Sequence, residues 1–284
     1  MRRARPLLGT LVDIEASGKY AAAAIEAAFG VISEVHRLMS FHEFDSDVSR
    51  INRTLAGVPV SISARTVEVL QFAYRLSVAS AGRFDVSIGR HMVRAGFLPV
   101  PEHASQPVED ASFMDMEFLP DAHIKLHKQL WIDLGGIAKG YAVDCAIQIL
   151  RQYQVDSALV NAGGDLRLFG PPQPVHVRNP DQPGALINLG MLENCAVATS
   201  SGMYSEQDFD ALVDRKNNAC IRWNQSISVI APDCMSADAL TKIVRLCPED
   251  ACDILEQYRA EAIYIVPPVP AAHVSYNNNR QIFQ

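Results

Sequence analysis

Apolar residues recur at helical spacing through Tyr20–Met39, where Ile25, Phe29, Ile32, Val35 and Met39 share one face. The alternating stretch Leu7–Ala16 in front of it predicts a strand, so the chain opens as a strand followed by a long helix. Ser63 is placed to cap a second helix running through Val67, Leu70, Tyr74 and Leu76 to Ser80, which Ala81-Gly82 ends. Between Ala111 and Asp133 the segments MDMEFL, HIKLHK and LWIDL alternate over short lengths and predict strands of an antiparallel sheet. A helix follows from near Lys139. Ser157–Phe169 then reads as a hairpin turning at Gly163-Gly164. Further strands are predicted at Val175–Arg178, Ala185–Leu189, Ala196–Thr199, Ser226–Ala231 and Ala262–Val266, with a helix at Ser236–Leu246. Pro99 to Pro107 is a surface loop, and Pro267-Pro-Val-Pro270 opens a tail of about residues 267–284. The predicted class is α+β, antiparallel sheets packed with a few helices.

Composition narrows the function. The 284 residues are 49% hydrophobic and 20% charged, enough for a sizeable core in one large domain or two small lobes. A net charge of −7 offers no basic field for a nucleic-acid backbone. The six cysteines contain no C-x-x-C pair and sit mostly in apolar runs, which predicts buried free thiols rather than disulfides or a zinc site. Met1-Arg-Arg-Ala-Arg5 is like a signal n-region, but the apolar run behind it breaks at Gly9 and ends at Asp13. No run reaches the roughly 20 residues of a membrane span. The chain as written is expected in the cytoplasm, or in the periplasm if an export signal has been removed.

Three segments carry candidate chemistry. In Ile132-Asp-Leu-Gly-Gly-Ile-Ala-Lys-Gly-Tyr-Ala-Val-Asp144 the glycines allow close backbone approach, while Lys139 and the amides of the helix start favour an anion, a phosphate or pyrophosphate above all. The same stretch also reads as a tight strand-to-helix turn with a solvated lysine. It matches neither the P-loop nor the G-x-G-x-x-G spacing. Asp238 and Thr241, three apart near a helix start, present two hard oxygens suited to magnesium, though as a lone motif this pattern more often caps a helix. Val197-Ala-Thr-Ser-Ser-Gly202 is a hydroxyl-rich strand end without the G-x-S-x-G elbow, which argues against a hydrolase nucleophile.

In this order the segments resemble the FAD:protein FMN transferases, the family once described as thiamine-biosynthesis lipoproteins. The resemblance rests on Leu8-Gly-Thr-Leu11, Met39-Ser-Phe-His-Glu-Phe-Asp-Ser-Asp-Val-Ser-Arg-Ile-Asn52, Gly82-Arg-Phe-Asp85, residues 133–144, and Asn161-Ala-Gly-Gly-Asp-Leu-Arg167. Arg178-Asn-Pro180, Ala198-Thr-Ser200 and Val229-Ile-Ala-Pro232 through Ala237-Asp-Ala-Leu240 follow. It implies one domain over residues 1–284, built of two interleaved lobes with FAD between them. The implied reaction is magnesium-dependent transfer of FMN from FAD to a threonine or serine hydroxyl of an acceptor flavoprotein, a redox subunit, with release of AMP. By the same resemblance Met39, Phe41, His42, Asp85, Gly135, Gly136, Lys139, Asp165, Thr199 and Ser200 contact FAD. The Ala138 carbonyl, Asp238 and Thr241 hold the metal, and Asp144 steadies a helix.

The sequence departs from the family pattern in three places. Ser40, Phe41 and His42 replace a Ser-Thr-Tyr-like run, with Phe41 or His42 left to stack on the cofactor. Ala211-Leu-Val-Asp-Arg215 keeps Asp214 but has Ala211 where the family has a histidine, so Asp214 and His42 are the catalytic candidates. Lys242 stands where the metal threonine is expected, with Thr241 one residue earlier, and an ammonium there partly replaces the cation. Two alternatives to the transferase follow: a flavin-binding relative without transfer, and a magnesium-dependent FAD pyrophosphatase using water as acceptor.

Overall fold

The fold was examined in a computed structural model that describes residues 1–180, 182, 184–201, 212–215, 219–221, 226–265 and 275–276. In chain order the elements are β1 (Arg2–Leu7), β2 (Thr10–Ser17), α1 (Ala21–Met39), α2 (Asp47–Arg53), β3 (Pro59–Ser61), α3 (Ala64–Ala79) and α4 (Gly89–Arg94). A short 3-10 turn at Phe113–Asp115 precedes β4 (Met116–Leu119), β5 (His123–Leu126), α5 (Ala138–Gln152), β6 (Ser157–Ala162), β7 (Asp165–Phe169), β8 (Gln173–Arg178) and β9 (Leu186–Leu192). Then come β10 (Ala196–Ser201), β11 (Val213–Asp214), β12 (Ala219–Cys220), β13 (Ser226–Ala231), α6 (Cys234–Leu246), α7 (Ala251–Gln257), β14 (Glu261–Ile265) and β15 (Ser275–Tyr276). The class is α+β with antiparallel sheets. No helix among the described residues is long and apolar enough to cross a membrane.

The chain divides into two compact units, each assembled from separated segments. Unit 1 comprises residues 1–33, 139–210 and 222–284; unit 2 comprises residues 34–138 and 211–221. Unit 1 is organised on an eight-stranded sheet ordered β1-β2-β6-β7-β10-β13-β14-β15. Alternation sets its faces: in β6 the residues Ala158, Val160 and Ala162 are buried while their neighbours are half exposed. The turn Gly163-Gly164 has positive φ at both residues (69° and 108°), the geometry that a two-residue hairpin matched to strand twist requires. Helix α6 buries Ala237, Leu240, Ile243 and Val244 and packs on β10 and β13. Its first turn is capped by Asp233, whose side chain accepts from the Ser236 amide at 2.8 Å.

Unit 2 holds the three-stranded sheet β3-β5-β4 and helices α2, α3 and α4. Ser63 caps α3 through its hydroxyl, and Val69, Leu70, Ala73 and Leu76 form the buried face of that helix. Asp47, buried at the start of α2, accepts from the Ser63 amide at 2.8 Å and the Thr66 hydroxyl at 2.6 Å, tying α2 to α3.

Two predicted elements are corrected. Leu7–Ala16 is not one strand, because Leu8 and Gly9 take positive φ (55° and 70°) and form the turn of the β1–β2 hairpin. Arg2–Leu7, despite its arginines, is a paired strand. The LWIDL segment forms no ladder. It runs extended, held by a double hydrogen bond between Asn52 and the Ile132 backbone (2.7 and 3.0 Å) and by the Asp133 amide donating to Val86 O at 2.8 Å. Among the described cysteines, Cys145, Cys234 and Cys247 are buried and outside any disulfide, whereas Cys195 is half-buried and Cys252 exposed. Val266 and most of the 267–284 tail lie outside the described residues.

Candidate functional site

In unit 1 the start of α5 meets the start of α6 at very short range. Gly140 makes this approach possible, since a Cβ there would lie 2.2 Å from the Cys234 carbonyl oxygen and 2.8 Å from Asp238 Cβ. The Gly140 amide, one of the donors a helix start leaves over, donates to Asp238 Oδ2 at 3.1 Å. The amide that the sequence offered to an outside anion therefore serves a carboxylate of the protein itself. Asp238 is fully buried, and its Oδ1 takes an ion pair from Lys242 one turn along α6. Lys242 Nζ also donates to the Asp238 carbonyl at 2.9 Å. Thr241 Oγ1 donates to that same carbonyl at 2.7 Å.

Lys139, on the first turn of α5, is ion-paired with the buried Asp165 at the start of β7. Two lysines and two aspartates thus form one group of charges, and their proton affinities show the mutual influence. Burial works against the Lys139 ammonium, yet the Asp238 and Asp165 carboxylates outweigh it and hold the group above its ordinary value. Burial likewise opposes the Asp238 carboxylate, but Lys242, Lys139 and the Gly140 amide bring it below the usual range. Asp165 moves the other way, raised by burial and by repulsion from Asp238. The Cys234 thiol beside them is pushed well up by burial and by the neighbouring carboxylates, which removes it as a nucleophile.

Around this group the side chains are largely committed to one another. Asp144 accepts from Arg167 Nη1 at 2.6 Å and from the Cys234 and Met235 amides at 2.9 and 2.8 Å, so it fastens the first turn of α6 to α5. Strand β10 pairs with β7 only through Ala196 and Val197, and Thr199 and Ser200 lie beyond that contact. Thr199 Oγ1 shares a 2.8 Å hydrogen bond with Ser228 Oγ on β13, and Ser200 Oγ accepts from Arg245 at 2.8 Å.

Unit 2 carries the remaining candidates. Met39 closes α1 and is buried, Phe41 is half-buried, and His42 is exposed, its ring edge-on to Phe41 at 6.3 Å. In the turn before α5, Gly135 is exposed and its amide donates to Asp133 Oδ1 at 3.1 Å. Burial raises the Asp133 carboxyl against the pull of that amide and of His42. Neither Gly135 nor Gly136 has positive φ, and a Cβ on Gly135 would lie 3.2 Å from Asp133 Oδ2. Asp85 is buried and accepts from the Ser87 amide and hydroxyl at 2.7 and 2.6 Å. It also forms an ion pair with Arg215, which in addition donates to Ser87 Oγ at 2.9 Å and to the Ala111 carbonyl. Asp214 is buried with Arg83 at 3.8 Å from its carboxylate. Ala211 lies outside the described residues. Among the described residues no cluster of three or more His, Cys, Asp or Glu side chains is placed to hold a metal.

The sequence pattern of the ApbE family matches residues 8–264. The chain belongs to the ApbE family. Among curated relatives, the FAD:protein FMN transferase of Vibrio cholerae is 30% identical over 234 residues, 74% of this chain and 69% of the relative. That of Haemophilus influenzae is 28% identical over 262 residues, 83% and 76% of the two chains. The fold agrees: the flavinyl transferase ApbE of Pseudomonas stutzeri superposes with a TM-score of 0.83 at 20% identity, covering 97% of this chain and 94% of that one.

Within this ApbE-family chain the structure brings Lys139, Asp165 and Asp238 together in unit 1, with Lys242 completing the group. Thr241 is adjacent, with its hydroxyl proton engaged by the Asp238 carbonyl. Sequence reasoning missed the arginines. Arg83 sits inside the Gly82–Asp85 motif and Arg215 directly follows Asp214, so each was in view as a neighbour of a chosen aspartate. No local spacing signals that Arg215 reaches Asp85, 130 positions away.

Proposed function

We propose that the chain is an FAD:protein FMN transferase. A threonine or serine hydroxyl of an acceptor flavoprotein, a redox subunit, attacks the phosphorus on the FMN side of the FAD pyrophosphate. The bond to the bridging oxygen breaks, AMP departs with the electron pair, and the hydroxyl proton passes to a base. The observation that carries this reading is the pair of ammonium groups, Lys139 and Lys242, beside the α5 start: fixed positive charge offsets the charge gathering on phosphate oxygens and leaving group. Lys139 and Lys242 bind and orient the pyrophosphate, and Asp165 and Asp238 hold those ammoniums in place. Of the two candidate bases, Asp214 is buried against Arg83, while His42 is exposed and among the described residues its ring has no hydrogen-bond partner. His42 is accordingly the proton acceptor in this proposal.

A divalent cation is implied at the Ala138 carbonyl, Asp238 and Thr241, where it supplies charge neutralisation of the pyrophosphate. The donor set does not fit it. Asp238, the one carboxylate of that set, already bonds an ammonium with one oxygen and an amide with the other. No step is therefore routed through a metal.

The test is to incubate the protein with FAD and an acceptor flavoprotein, following acceptor mass and nucleotides together. Transfer adds the mass of FMN to the acceptor and releases AMP, and His42→Ala lowers the rate on the order of a hundredfold. AMP with free FMN and no labelled acceptor identifies a pyrophosphatase instead. FAD that binds and stays intact identifies a flavin-binding relative without transfer.

A further inference from the structure

We propose that Lys242 is the resident cation of this site, and that Lys139 and Lys242 together receive a pyrophosphate anion without a divalent metal at Asp238. The inference deepens the proposed function and rests on it only for the identity of the anion.

Asp165 and Asp238 are two buried negative groups, Lys139 and Lys242 two positive ones, so the group is already balanced within unit 1. A divalent ion arriving at Asp238 would add two positive charges beside two ammoniums, an arrangement that repulsion opposes. To reach the carboxylate it would have to share Oδ1 with the Lys242 ammonium, which repels it, or Oδ2 with the Gly140 amide. Lys242 is not free to swing aside without loss, because its Nζ is tied to both the carboxylate and the main-chain carbonyl of Asp238.

Donor capacity supports the second half of the proposal. An ammonium has three N–H donors. Lys139 uses one on Asp165, and Lys242 uses two on Asp238. Among the described residues this leaves two donors on Lys139 and one on Lys242, on side chains that keep part of their surface exposed (34% and 18%) while their carboxylate partners do not. The carboxylates face inward and fix the ammoniums; the remaining N–H groups are what an anion meets. Lysine can fill this role as a compact point charge with donors left over.

The experiment titrates manganese into the purified full chain, without nucleotide or acceptor, and reads free Mn2+ by electron paramagnetic resonance. The expected result is no saturable binding by the wild-type protein, and a gain in affinity on the order of a hundredfold in Lys242→Ala, which exposes Asp238 Oδ1. Calorimetry with inorganic pyrophosphate in the presence of EDTA should show binding by the wild-type protein that weakens at least about tenfold in Lys242→Gln, the variant nearer in size. Wild-type Mn2+ binding that Asp238→Asn abolishes would overturn the proposal. So would pyrophosphate binding that needs added magnesium, or a Lys242→Ala protein, folded by circular dichroism, that gains no manganese. Because neither titration uses FAD, acceptor or turnover, these results are separate from the fate of the transferase assignment.

Discussion

In unit 1 the buried carboxylates Asp165 and Asp238 are met by lysines, and in unit 2 the buried Asp85 is met by Arg215. Both arrangements neutralise charge away from water, but they leave different surfaces behind. Arg215 spends its fork on Asp85, Ser87 and the Ala111 carbonyl, fastening the segment around 212–215 to the loop that follows Gly82-Arg-Phe-Asp85. Lys139 and Lys242 keep unused donors, and Lys139 also keeps about a third of its surface, about twice what Arg215 keeps. The first kind of pair is a clip, and the second is charge held ready for a ligand. An aspartate in a family motif can thus belong to either, and its partner decides which.

The largest effect that would separate the two follows from removing the clip. Arg215→Ala leaves Asp85 buried without its countercharge, which is expected to cost about 3–5 kcal/mol of stability in a denaturant titration. Arg215→Lys should recover less than half of that, since one ammonium cannot serve three acceptors in fork geometry. Full recovery by lysine would erase the distinction drawn between the units.

Gly140→Ala comes next. Its Cβ would meet the Cys234 carbonyl oxygen at 2.2 Å, a backbone atom in the first turn of α6, so the helix must shift and the Gly140–Asp238 hydrogen bond must stretch. A loss of about 3 kcal/mol is expected, at the upper end for overpacking. Weakened pyrophosphate binding should accompany it, because the same shift moves Lys242. A stable variant with unchanged binding would mean that the close approach of α5 and α6 does not set the lysine group.

Much of the fold could be read locally, and the reasons are visible in particular residues. Gly163-Gly164 between alternating runs specified the β6–β7 hairpin, and Ser63 with the period behind it specified α3. Helix α2 was overlooked, because its seven residues are too few for a period to emerge, although Ser46 caps it. LWIDL alternates like a strand, but its backbone finds partners in Asn52 and Val86 rather than in a ladder. In the site, the Asp238–Lys242 pair follows from i,i+4 spacing on one helix. The Lys139–Asp165 and Arg215–Asp85 pairs depend on how distant segments come together, and spacing carries no trace of that.

The smallest effect sharpens the lysine side of the comparison through pH. Lys139 has a raised folded-state value, so its contribution to stability is complete below the ordinary lysine value of 10.5 and is lost as pH rises beyond it toward the folded one. Between neutral pH and 10.5, where the carboxylates are ionised, the wild-type protein should therefore keep a constant melting-temperature advantage over Lys139→Met, and above 10.5 that advantage should shrink. The side chain is about one-third exposed, so water and salt screen part of the interaction and the advantage should be modest and reduced at high ionic strength. Arg215→Ala compared with wild type should show no such alkaline loss, because a guanidinium stays charged throughout that range. An advantage of Lys139 that already fades near neutral pH would mean that burial, not the two carboxylates, governs its ammonium, and the lysine group would then lack the standing charge that an anion site needs.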